Sequence, residues 1–595
     1  MSLTGQPNAM GGREVGGLAN LLSAHRDLAD PAHRAEVAAL WGVDAVPSGP
    51  GKSAVEMFQA AADGEIKALW IACTNPAQSM PDQATVRRAL ERAEFVVVQE
   101  AYATTATCAY GDLLLPASSW GEKDGTVTNS ERRISRVRAA VPAPGEARAD
   151  WAIATDFARR LQALLEVAGL RVPRAPLIDY TGPEAVWNEH RESTRGRDLD
   201  ITGLTYAALE ATPVQWPCPT GATVGRARLY EDGVFPTSDG RARFFDTPFV
   251  ALAEPRDARF PVSLNTGRLR DHWHGLSRTG SLGRLYGHVS EPVVEMHPQD
   301  LARRKLVDGD LVHIASRRGS VVLPVQASTA VGLSQAFVAM HWGEEVVSGR
   351  GPGGERLPGI NGLTTSAFCP TSKQPELKHS AVRIAAAELP WKLLALAWLP
   401  EGEALAVRER LRPLMGAFGF ASCVPFGRER TGVMFRAAAA EAAPEELMVQ
   451  VEALLGLQAE GVLHYADRRR GQRRSMRLSG DGQAQRLDGF LLAGDVRAEA
   501  WLRPLLQDGL PSQAYGRALL LPGARPPAAL PFRGRQVCSC FDVGETVITE
   551  WLAQHPGSPE AGLARLQEAT RCGTNCGSCL PELRRIIRLH HDTAG

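Results

Sequence analysis

The sequence predicts a multidomain protein of the α/β and β-barrel class with a small helical module near its C-terminal end. Three observations predict it. Short apolar runs alternate with helical patterns between residues 66 and 116, two strands flank a short turn between 311 and 325, and five of the ten cysteines lie between 538 and 579. These patterns are typical of a parallel sheet, of a barrel, and of a metal or cluster site, respectively. At 595 residues, the chain has room for about four domains.

The α/β part begins with a βαβ unit. Residues 66–72 and 95–98 are apolar runs that fit buried strands, residues 83–92 between them have helical spacing, and 112–115 predicts a third strand. Another helix is expected at 149–166. This order predicts a parallel sheet covered by helices.

Polar residues stand just after two of these strands. Asn75 follows the first strand, and Gln99 and Glu100 follow the second. Ligands of open parallel sheets bind at the carboxyl ends of the strands, so all three are candidate ligand contacts. Helix capping explains Asn75 and Glu100 equally well.

The barrel prediction rests on residues 311–315 and 321–325, which read as a hairpin joined through a turn at 316–319. Upstream, a strand at 261–264 runs into a polar segment that contains His272 and His274. Metal ligation by this pair is one interpretation. Ordinary hydrogen bonding is the other, since no third ligand stands at a suitable spacing.

A small α/β region is expected after residue 390, with strands at 393–399 and 432–438 and helices at 403–418 and 444–455. The arginine-rich run 468–474 could bind nucleic acid. It lacks interleaved aromatic residues, and the chain has 66 basic and 66 acidic residues, so a hairpin turn is the better interpretation and no nucleic-acid partner is expected.

The remaining composition indicates a protein of a reducing compartment. No apolar run is long enough to cross a bilayer, so no membrane partner is expected. The glycine-rich residues 1–20 read as a loop. Five cysteines are isolated in sequence and are expected to be small buried apolar residues: Cys73, Cys108, Cys218, Cys369 and Cys423.

The remaining five cysteines form two short groups separated by a helical interval that is broken at 556–557. Cys538 and Cys540 form one arm, and Cys576 and Cys579 form the other, which leaves Cys572 as the odd one out. Four thiolates suit zinc or a [2Fe-2S] cluster, and the single residue between the first two cysteines favours the cluster.

Two resemblances extend this interpretation. Val-Cys-Ser-Cys-Phe followed by Cys-Gly-Thr-Asn-Cys-Gly-Ser-Cys-Leu-Pro-Glu-Leu resembles the bacterioferritin-associated-ferredoxin-like [2Fe-2S] module. The glycine-rich segment 2–17, the Thr74-Asn75-Pro76 loop, the loop 122–133 and the strand end at Thr266-Gly267-Arg268 resemble bacterial assimilatory nitrate reductases of the molybdopterin oxidoreductase family. Residues 297–300 through the turn at 317–319 are similar to that family's dinucleotide-binding barrel.

The resemblance implies a domain order. Partial molybdopterin-oxidoreductase αβα domains are expected at 1–255, a dinucleotide-binding double-psi-like β-barrel at 256–390, and the small α/β region at 391–521. A linker at 522–535 and the [2Fe-2S] domain at 536–595 follow.

The resemblance also implies a Mo-bis(molybdopterin guanine dinucleotide) cofactor and the residues that contact it. Carboxylates suit ribose and guanine, and cationic side chains suit phosphate and the polar pterin edge. The implied contacts are Asn75, Gln99, Glu100, Lys123, Asp150, Thr266, Gly267, Arg268, Leu269, Arg270, Asp271, His272, Trp273, His274, Gly275, Trp342, Asn361 and Lys378.

The implied activity is molybdenum-dependent reduction of nitrate to nitrite during cytoplasmic nitrate assimilation, with electrons entering through the C-terminal cluster. An NADH-dependent flavoprotein reductase, a ferredoxin or a flavodoxin would be the electron donor. In this family a [4Fe-4S] domain and the molybdenum-ligand region would precede Ser2, so the chain is expected to correspond to the C-terminal two-thirds of such an enzyme, truncated or completed by a separately encoded part. The alternatives are a non-catalytic electron-transfer or cofactor-binding polypeptide and an oxidoreductase for another substrate.

Overall fold

The computed structural model describes residues 8–170, 178–349, 359–523, 525–526, 530 and 533–594. Two compact units are present, and each is described by itself. The first comprises Met1–Thr74, Ala89–Ala103 and Cys108–Ala251, and the second comprises Asn75–Arg88, Thr104–Thr107 and Leu252–Gly595. Part of the predicted linker 522–535 and the first residues of the segment 2–17 lie outside the described residues. In the described ranges, no helix is long and apolar enough to cross a membrane.

The first unit contains the predicted parallel sheet. Its strands Ala68–Ala72, Phe95–Glu100 and Leu113–Pro116 lie side by side in sequence order, and Ala72 is in register with Gln99. The helix Gln83–Arg92 follows the first strand, as predicted. The βαβ prediction is therefore confirmed, and its strands end where the polar residues stand.

The rest of this unit combines helices with two antiparallel sheets. The helices span Ala9–Glu14, Pro31–Trp41, Ala54–Asp63, Asp150–Val167, Pro183–Ser193 and Tyr206–Ala211. The smaller strands span Leu21–Leu22, Arg26–Asp27, Gly125–Thr128, Arg133–Val137 and Val214–Gln215. A second apolar core forms around Ile134, Trp187 and Trp216.

Two expectations from the sequence need correction, and the second of them concerns residues of both units. The glycine-rich segment is not all loop, because Ala9–Glu14 is helical and its last residue, Glu14, is buried. The Glu14 carboxylate accepts hydrogen bonds from Thr128 Oγ1 at 2.8 Å and Trp216 Nε1 at 2.6 Å, and these contacts hold the segment in place. The isolated cysteines are not all buried either, because Cys73 and Cys369 are exposed.

The second unit contains the predicted barrel. Six strands close it in the order Val294–Met296, Ser320–Ala327, Leu311–Ala315, Ser380–Ala386, Val262–Gly267 and Gln335–Ala339. The predicted hairpin is the antiparallel pair in which Val312 faces Leu323. Alternate residues of these strands fill the interior, because successive side chains of a strand point to opposite faces. The short helices Pro76–Ser79 and Pro298–Arg303 belong to the same unit.

The small α/β region is built on one antiparallel sheet of seven strands. Their order is Val347–Gly349, Phe420–Phe426, Gly432–Ala439, Trp391–Trp398, Arg486–Ala493, Gln472–Ser479 and Leu463–Asp467. The last two strands form the hairpin predicted at the arginine-rich run. The Arg473 side chain in this hairpin forms a salt bridge with Glu452.

Both faces of this sheet are covered, which explains its continuous apolar strands. Leu393 and Ala395 face a core shared with the helices Ala404–Met415 and Glu445–Leu454. Leu394 and Leu396 belong instead to the barrel's core, together with the helix Glu499–Gln507. A run of four to eight apolar residues is typical of such a doubly buried strand.

The cysteine module is small and mostly helical. A short antiparallel pair, Gln536–Cys538 with Val543–Gly544, precedes the helices Glu545–Gln554, Pro559–Thr570 and Leu580–Ala594. The predicted break at 556–557 separates the first two helices. The predicted fold class is thus confirmed in all its parts: α/β layers, a closed barrel and a small helical module.

Candidate functional site

Three of the predicted residues of the first unit form one hydrogen-bonded group around Asp150. Gln99, 4% exposed at the end of its strand, donates from Nε2 to Asp150 Oδ1 at 2.8 Å, and Lys123 Nζ contacts Asp150 Oδ2 at 2.8 Å. Asp150 is the first residue of its helix, where the helix dipole favours a carboxylate. Glu100 follows Gln99 and accepts from the backbone N–H of Ala101.

A residue that the sequence analysis expected to be a buried apolar side chain, and not a site residue, joins this group. Cys73 Sγ lies 3.5 Å from Asp150 Oδ1, and the backbone of Cys73 is in the left-handed region with φ 59°. Cys73 is exposed as a residue, but partial removal of water around its sulfur atom and the neighbouring carboxylate raise the pKa of the thiol to about 11. Burial alone would raise the pKa of Asp150, but Lys123 and Gln99 outweigh burial and lower it. Asp150 therefore stays ionised and Cys73 stays protonated at neutral pH.

In the second unit, Asn75 is the centre of a buried amide network. Its Oδ1 accepts from Thr107 Oγ1 at 2.7 Å, and its Nδ2 lies 3.2 Å from both Gln78 Oε1 and Glu345 Oε1. Asn75 occupies the N-cap position of Pro76–Ser79 but makes no capping bond with its side chain. The capping interpretation of Asn75 is therefore wrong, because its side chain makes tertiary contacts instead.

Two more predicted residues meet this network through Gln78. Asn361 Nδ2 donates to the backbone carbonyl of Gln78 at 2.9 Å. A Cβ atom at Gly275 would lie 1.9 Å from Gln78 Oε1, so only glycine fits there without displacing that amide. Gln78 is itself fixed, since its Nε2 donates to the backbone carbonyl of His341 at 2.9 Å. Residues far apart in sequence are thus packed into one site.

His341, which sequence reasoning missed, holds the polar segment 266–275 from both sides. Its Nε2 accepts from the Leu269 N–H at 2.9 Å, and its Nδ1 donates to the His274 carbonyl. Lys378 fixes the start of the segment, since its Nζ donates to the Thr266 carbonyl at 3.0 Å. A pattern search does not find His341 because it holds backbone groups and stands in no motif.

Two predicted residues of this unit carry buried polar atoms that lack a hydrogen-bond partner within the described ranges. They are Trp342 Nε1 and His272 Nε2, and the two rings lie 5.9 Å apart. Burial and the nearby His341 lower the pKa of His272 to about 4, so its ring is neutral. Leaving a buried donor unpaired costs about 1–3 kcal/mol. These atoms therefore fit a polar ligand such as the pterin dinucleotide cofactor.

The remaining predicted residues of the segment are half-buried, apart from Arg268. Arg268 is exposed, with its Nη2 3.4 Å from His274 Nε2, and the Trp273 ring packs against His274 with 4.5 Å between ring centroids. At Gly267 an added Cβ would meet the Phe337 ring at 2.6 Å.

Arg270 and Asp271 instead contact the cysteine module. Arg270 Nη1 lies 3.0 Å from Glu582 Oε2, and Asp271 Oδ2 accepts from Ser539 Oγ at 2.9 Å. Arg535 and His288 also surround the Glu582 carboxylate. The same ten-residue segment therefore lines the candidate dinucleotide site and holds the cysteine module.

The five cysteines of the module form two groups of neighbouring sulfur atoms. Cys540 Sγ and Cys576 Sγ are 3.4 Å apart, and Cys572 Sγ and Cys579 Sγ are 4.0 Å apart. The sulfur atoms of Cys538, Cys572 and Cys579 all lie within 4.8 Å of one another. The structure thus brings in Cys572, which the sequence analysis left without a role.

Neighbouring hydrogen-bond donors favour the thiolate form of two of these cysteines. Burial would raise the pKa of Cys538, but the N–H groups of Gly573 and Phe541 outweigh burial and lower it. Ser578 lowers the pKa of Cys576 in the same way. Burial raises the pKa of Cys540 and raises that of Cys579 to about 11. The residues present fit a [2Fe-2S] centre because their sulfur atoms are clustered, as the thiolate ligands of such a cluster must be.

Comparison with known families agrees with this geometry. The chain matches the molybdopterin oxidoreductase family model over residues 3–160. It matches the "Molydopterin dinucleotide binding domain" over 262–381 and the "BFD-like [2Fe-2S] binding domain" over 536–588. The predicted molybdopterin dinucleotide and [2Fe-2S] cofactors are thereby confirmed at the level of the domains that bind them.

Several curated proteins are similar over much of the chain. A nitrate reductase of Klebsiella oxytoca is 35% identical over 98% of this chain and 63% of that protein. A nitrate reductase of Synechocystis is 41% identical over 64% of this chain and 52% of its own length. The assimilatory nitrate reductase catalytic subunit of Bacillus subtilis is 34% identical over 64% and 51%.

The chain therefore spans between 51% and 63% of the length of these relatives. The family models and the relatives agree with the recognition made from the sequence motifs. The chain contains molybdopterin oxidoreductase and molybdopterin-dinucleotide-binding domains, followed by a BFD-like [2Fe-2S] domain.

Proposed function

We propose that this chain is part of a molybdenum enzyme that reduces nitrate to nitrite in cytoplasmic nitrate assimilation. The bound cofactor would supply the oxygen-atom transfer, in which nitrate, two protons and two electrons give nitrite and water. The similarity to nitrate reductases along the described units supports this substrate. The cofactor contacts predicted from the sequence, including Asn75, His272, Trp342 and Asn361, are proposed to bind and orient the dinucleotide.

The observation that carries the proposal is the contact between the cysteine module and the segment 266–275. The Asp271 carboxylate accepts a hydrogen bond from Ser539, the residue between Cys538 and Cys540. The residue after Asp271 is His272, which carries an unpaired ring nitrogen beside Trp342. One short stretch of backbone thus separates the proposed cluster from the proposed cofactor site. Electrons delivered to the cluster by a flavoprotein reductase, a ferredoxin or a flavodoxin would have a short route inward.

The test compares two electron sources in the full-length gene product. Reduced methyl viologen is expected to support nitrate-dependent turnover in both the unmodified protein and Cys576→Ala, since a small dye can reach the cofactor directly. Reduced ferredoxin or flavodoxin, or NADH with a flavoprotein reductase, is expected to support turnover only where the cluster is intact. Cys369→Ala removes an exposed thiol from the barrel unit and is the matched control.

The outcomes separate the alternatives. Molybdenum in the protein without nitrate turnover would point to another substrate. About two irons per chain, no molybdenum and no turnover would identify a non-catalytic electron carrier. Undiminished turnover of Cys576→Ala with every protein donor would refute electron entry through the cluster.

A further inference from the structure

Each iron of a [2Fe-2S] cluster takes two protein thiolates, but one group in the cysteine module contains three thiols. Two thiolates on one tetrahedral metal, each about 2.3 Å from it, lie about 3.8 Å apart. The Cys540–Cys576 pair, at 3.4 Å, meets this requirement for one iron of a [2Fe-2S] cluster. The second iron is left with Cys538, Cys572 and Cys579, whose sulfur atoms are mutually within 4.8 Å.

Cys572 is held in this group by the local backbone. It follows Arg571, which ends the helix Pro559–Thr570 in the left-handed conformation with φ 57°. The next residue, Gly573, has φ 82°, and a Cβ atom there would lie 2.8 Å from Leu580 Cδ2. These two positive φ angles turn the Cys572 side chain into the module.

Burial keeps the three thiols together. Cys572 is fully buried, and Cys538 and Cys579 are 2% and 3% exposed. All three belong to the apolar core of the module, where Leu566 and Leu583 pack beside them. The thiol of Cys572 therefore has no solvent-facing position to adopt while the core is intact.

We propose that Cys572 is a reserve ligand of the [2Fe-2S] cluster, and that any two of Cys538, Cys572 and Cys579 suffice to hold the second iron. The inference rests on the proposed cluster site. An exchange replaces one iron–thiolate bond by another, with the proton of the incoming thiol passing to the outgoing one, so it needs no oxidant or reductant. The device would preserve electron entry when one ligand is lost or oxidised.

The test measures iron content, the visible absorption spectrum and the EPR spectrum of the dithionite-reduced full chain. Cys538→Ala, Cys572→Ala and Cys579→Ala are each expected to keep about two irons per chain and a [2Fe-2S] signal. The double variants C538A/C572A and C572A/C579A are expected to lose both. Loss of the cluster from C538A or from C579A would overturn the proposal.

Cys576→Ala is the matched control, because its partner Cys540 lies outside the three-thiol group. This variant is expected to lose the cluster although it removes the same atom from the same loop. Retention of the full signal in C576A would overturn the division into one fixed pair and one three-thiol group.

Serine variants provide a second test in case the alanine variants fail to fold. Cys579→Ser keeps nearly the original volume and offers an oxygen ligand. With Cys572 present, its spectrum should match that of the unmodified protein, whereas C572A/C579S should show the shifted spectrum of an oxygen-ligated cluster. An oxygen-ligated spectrum in C579S itself would overturn the reserve ligand alone, while an unmodified protein without any cluster would overturn the proposed electron entry as well.

Discussion

The contact between Glu582 and the segment 266–275 gives the sharpest prediction. Glu582 lies in the first turn of Leu580–Ala594, and its carboxylate faces Arg270, Arg535 and His288. Glu582→Gln removes the charge but keeps the size of the side chain. We expect this change to loosen the cysteine module without unfolding it.

The magnitude follows from the exposure of the pair. The side chains of Glu582 and Arg270 are 14% and 16% exposed, so water compensates little for a lost charge. A charge-assisted hydrogen bond contributes about 1.5–3 kcal/mol, and a neutral one about 1 kcal/mol. Glutamine at position 582 retains one neutral hydrogen bond, and Arg270 keeps its salt bridge to Asp271, with 3.4 Å between Nε and Oδ1. The net loss of about 0.5–2 kcal/mol shifts the docked-to-released ratio by up to about 30-fold.

Hydrogen–deuterium exchange of the cluster-loaded protein measures this ratio. Backbone amides at the contact should exchange faster by up to about 30-fold in Glu582→Gln, because exchange requires release. The sign of the pH dependence is also fixed. Burial raises the pKa of Glu582, but His288, Arg535 and Arg270 outweigh burial and lower it. The stabilisation is therefore complete above the ordinary pKa of glutamate and is lost as the pH falls through the lowered pKa.

Glu568→Gln is the matched control, since Glu568 is exposed on the neighbouring helix Pro559–Thr570. It removes the same charge from the same module and should leave exchange at the contact unchanged. Equal exchange in Glu582→Gln and in the unmodified protein would refute the electrostatic account of docking.

Three further predictions concern other charged groups. Asp271→Asn should raise the reduction potential of the cluster, measured by EPR-monitored titration, because it removes a negative charge near the sulfur ligands. Arg436→Met should lower the stability of the seven-stranded sheet region to urea by up to about 3 kcal/mol, since the largely buried carboxylate of Glu291 loses a partner 2.6 Å away and keeps only Arg503 among the described residues. Asp150→Asn should lower the pKa of Cys73 from about 11 and speed its alkylation by iodoacetamide, followed by mass spectrometry.

Each of these has a result that contradicts it. An unchanged or lower potential in the Asp271 variant would mean that its carboxylate does not act on the cluster. If Glu291→Gln fails to restore part of the stability lost in Arg436→Met, the loss does not come from an unpaired charge. Equal alkylation rates would show that burial, rather than Asp150, keeps the Cys73 thiol protonated.

Local patterns were sufficient for several of the elements, and the family resemblance implied the cofactors. The helix at Gln83–Arg92, the hairpin at 311–325 and the helix break at 556–557 each depend on residues a few positions apart, so a single sequence encodes them. Short motifs with fixed spacing also carried the family resemblance. The strands at Phe420–Phe426 and Arg486–Ala493 were not predicted, because their long-range pairing is not written in local sequence.

By itself, the sequence determined the fold class, the family and the presence of a thiolate cluster, since each depends on residue types at short spacing. Only the tertiary structure decided which distant groups meet. It joined Cys73 to Asp150, placed His341 behind the segment 266–275, and turned Asp271 toward the cysteine module. It also placed Cys572 beside Cys579, because the distance between two sulfur atoms depends on how helices pack and not on how many residues separate them.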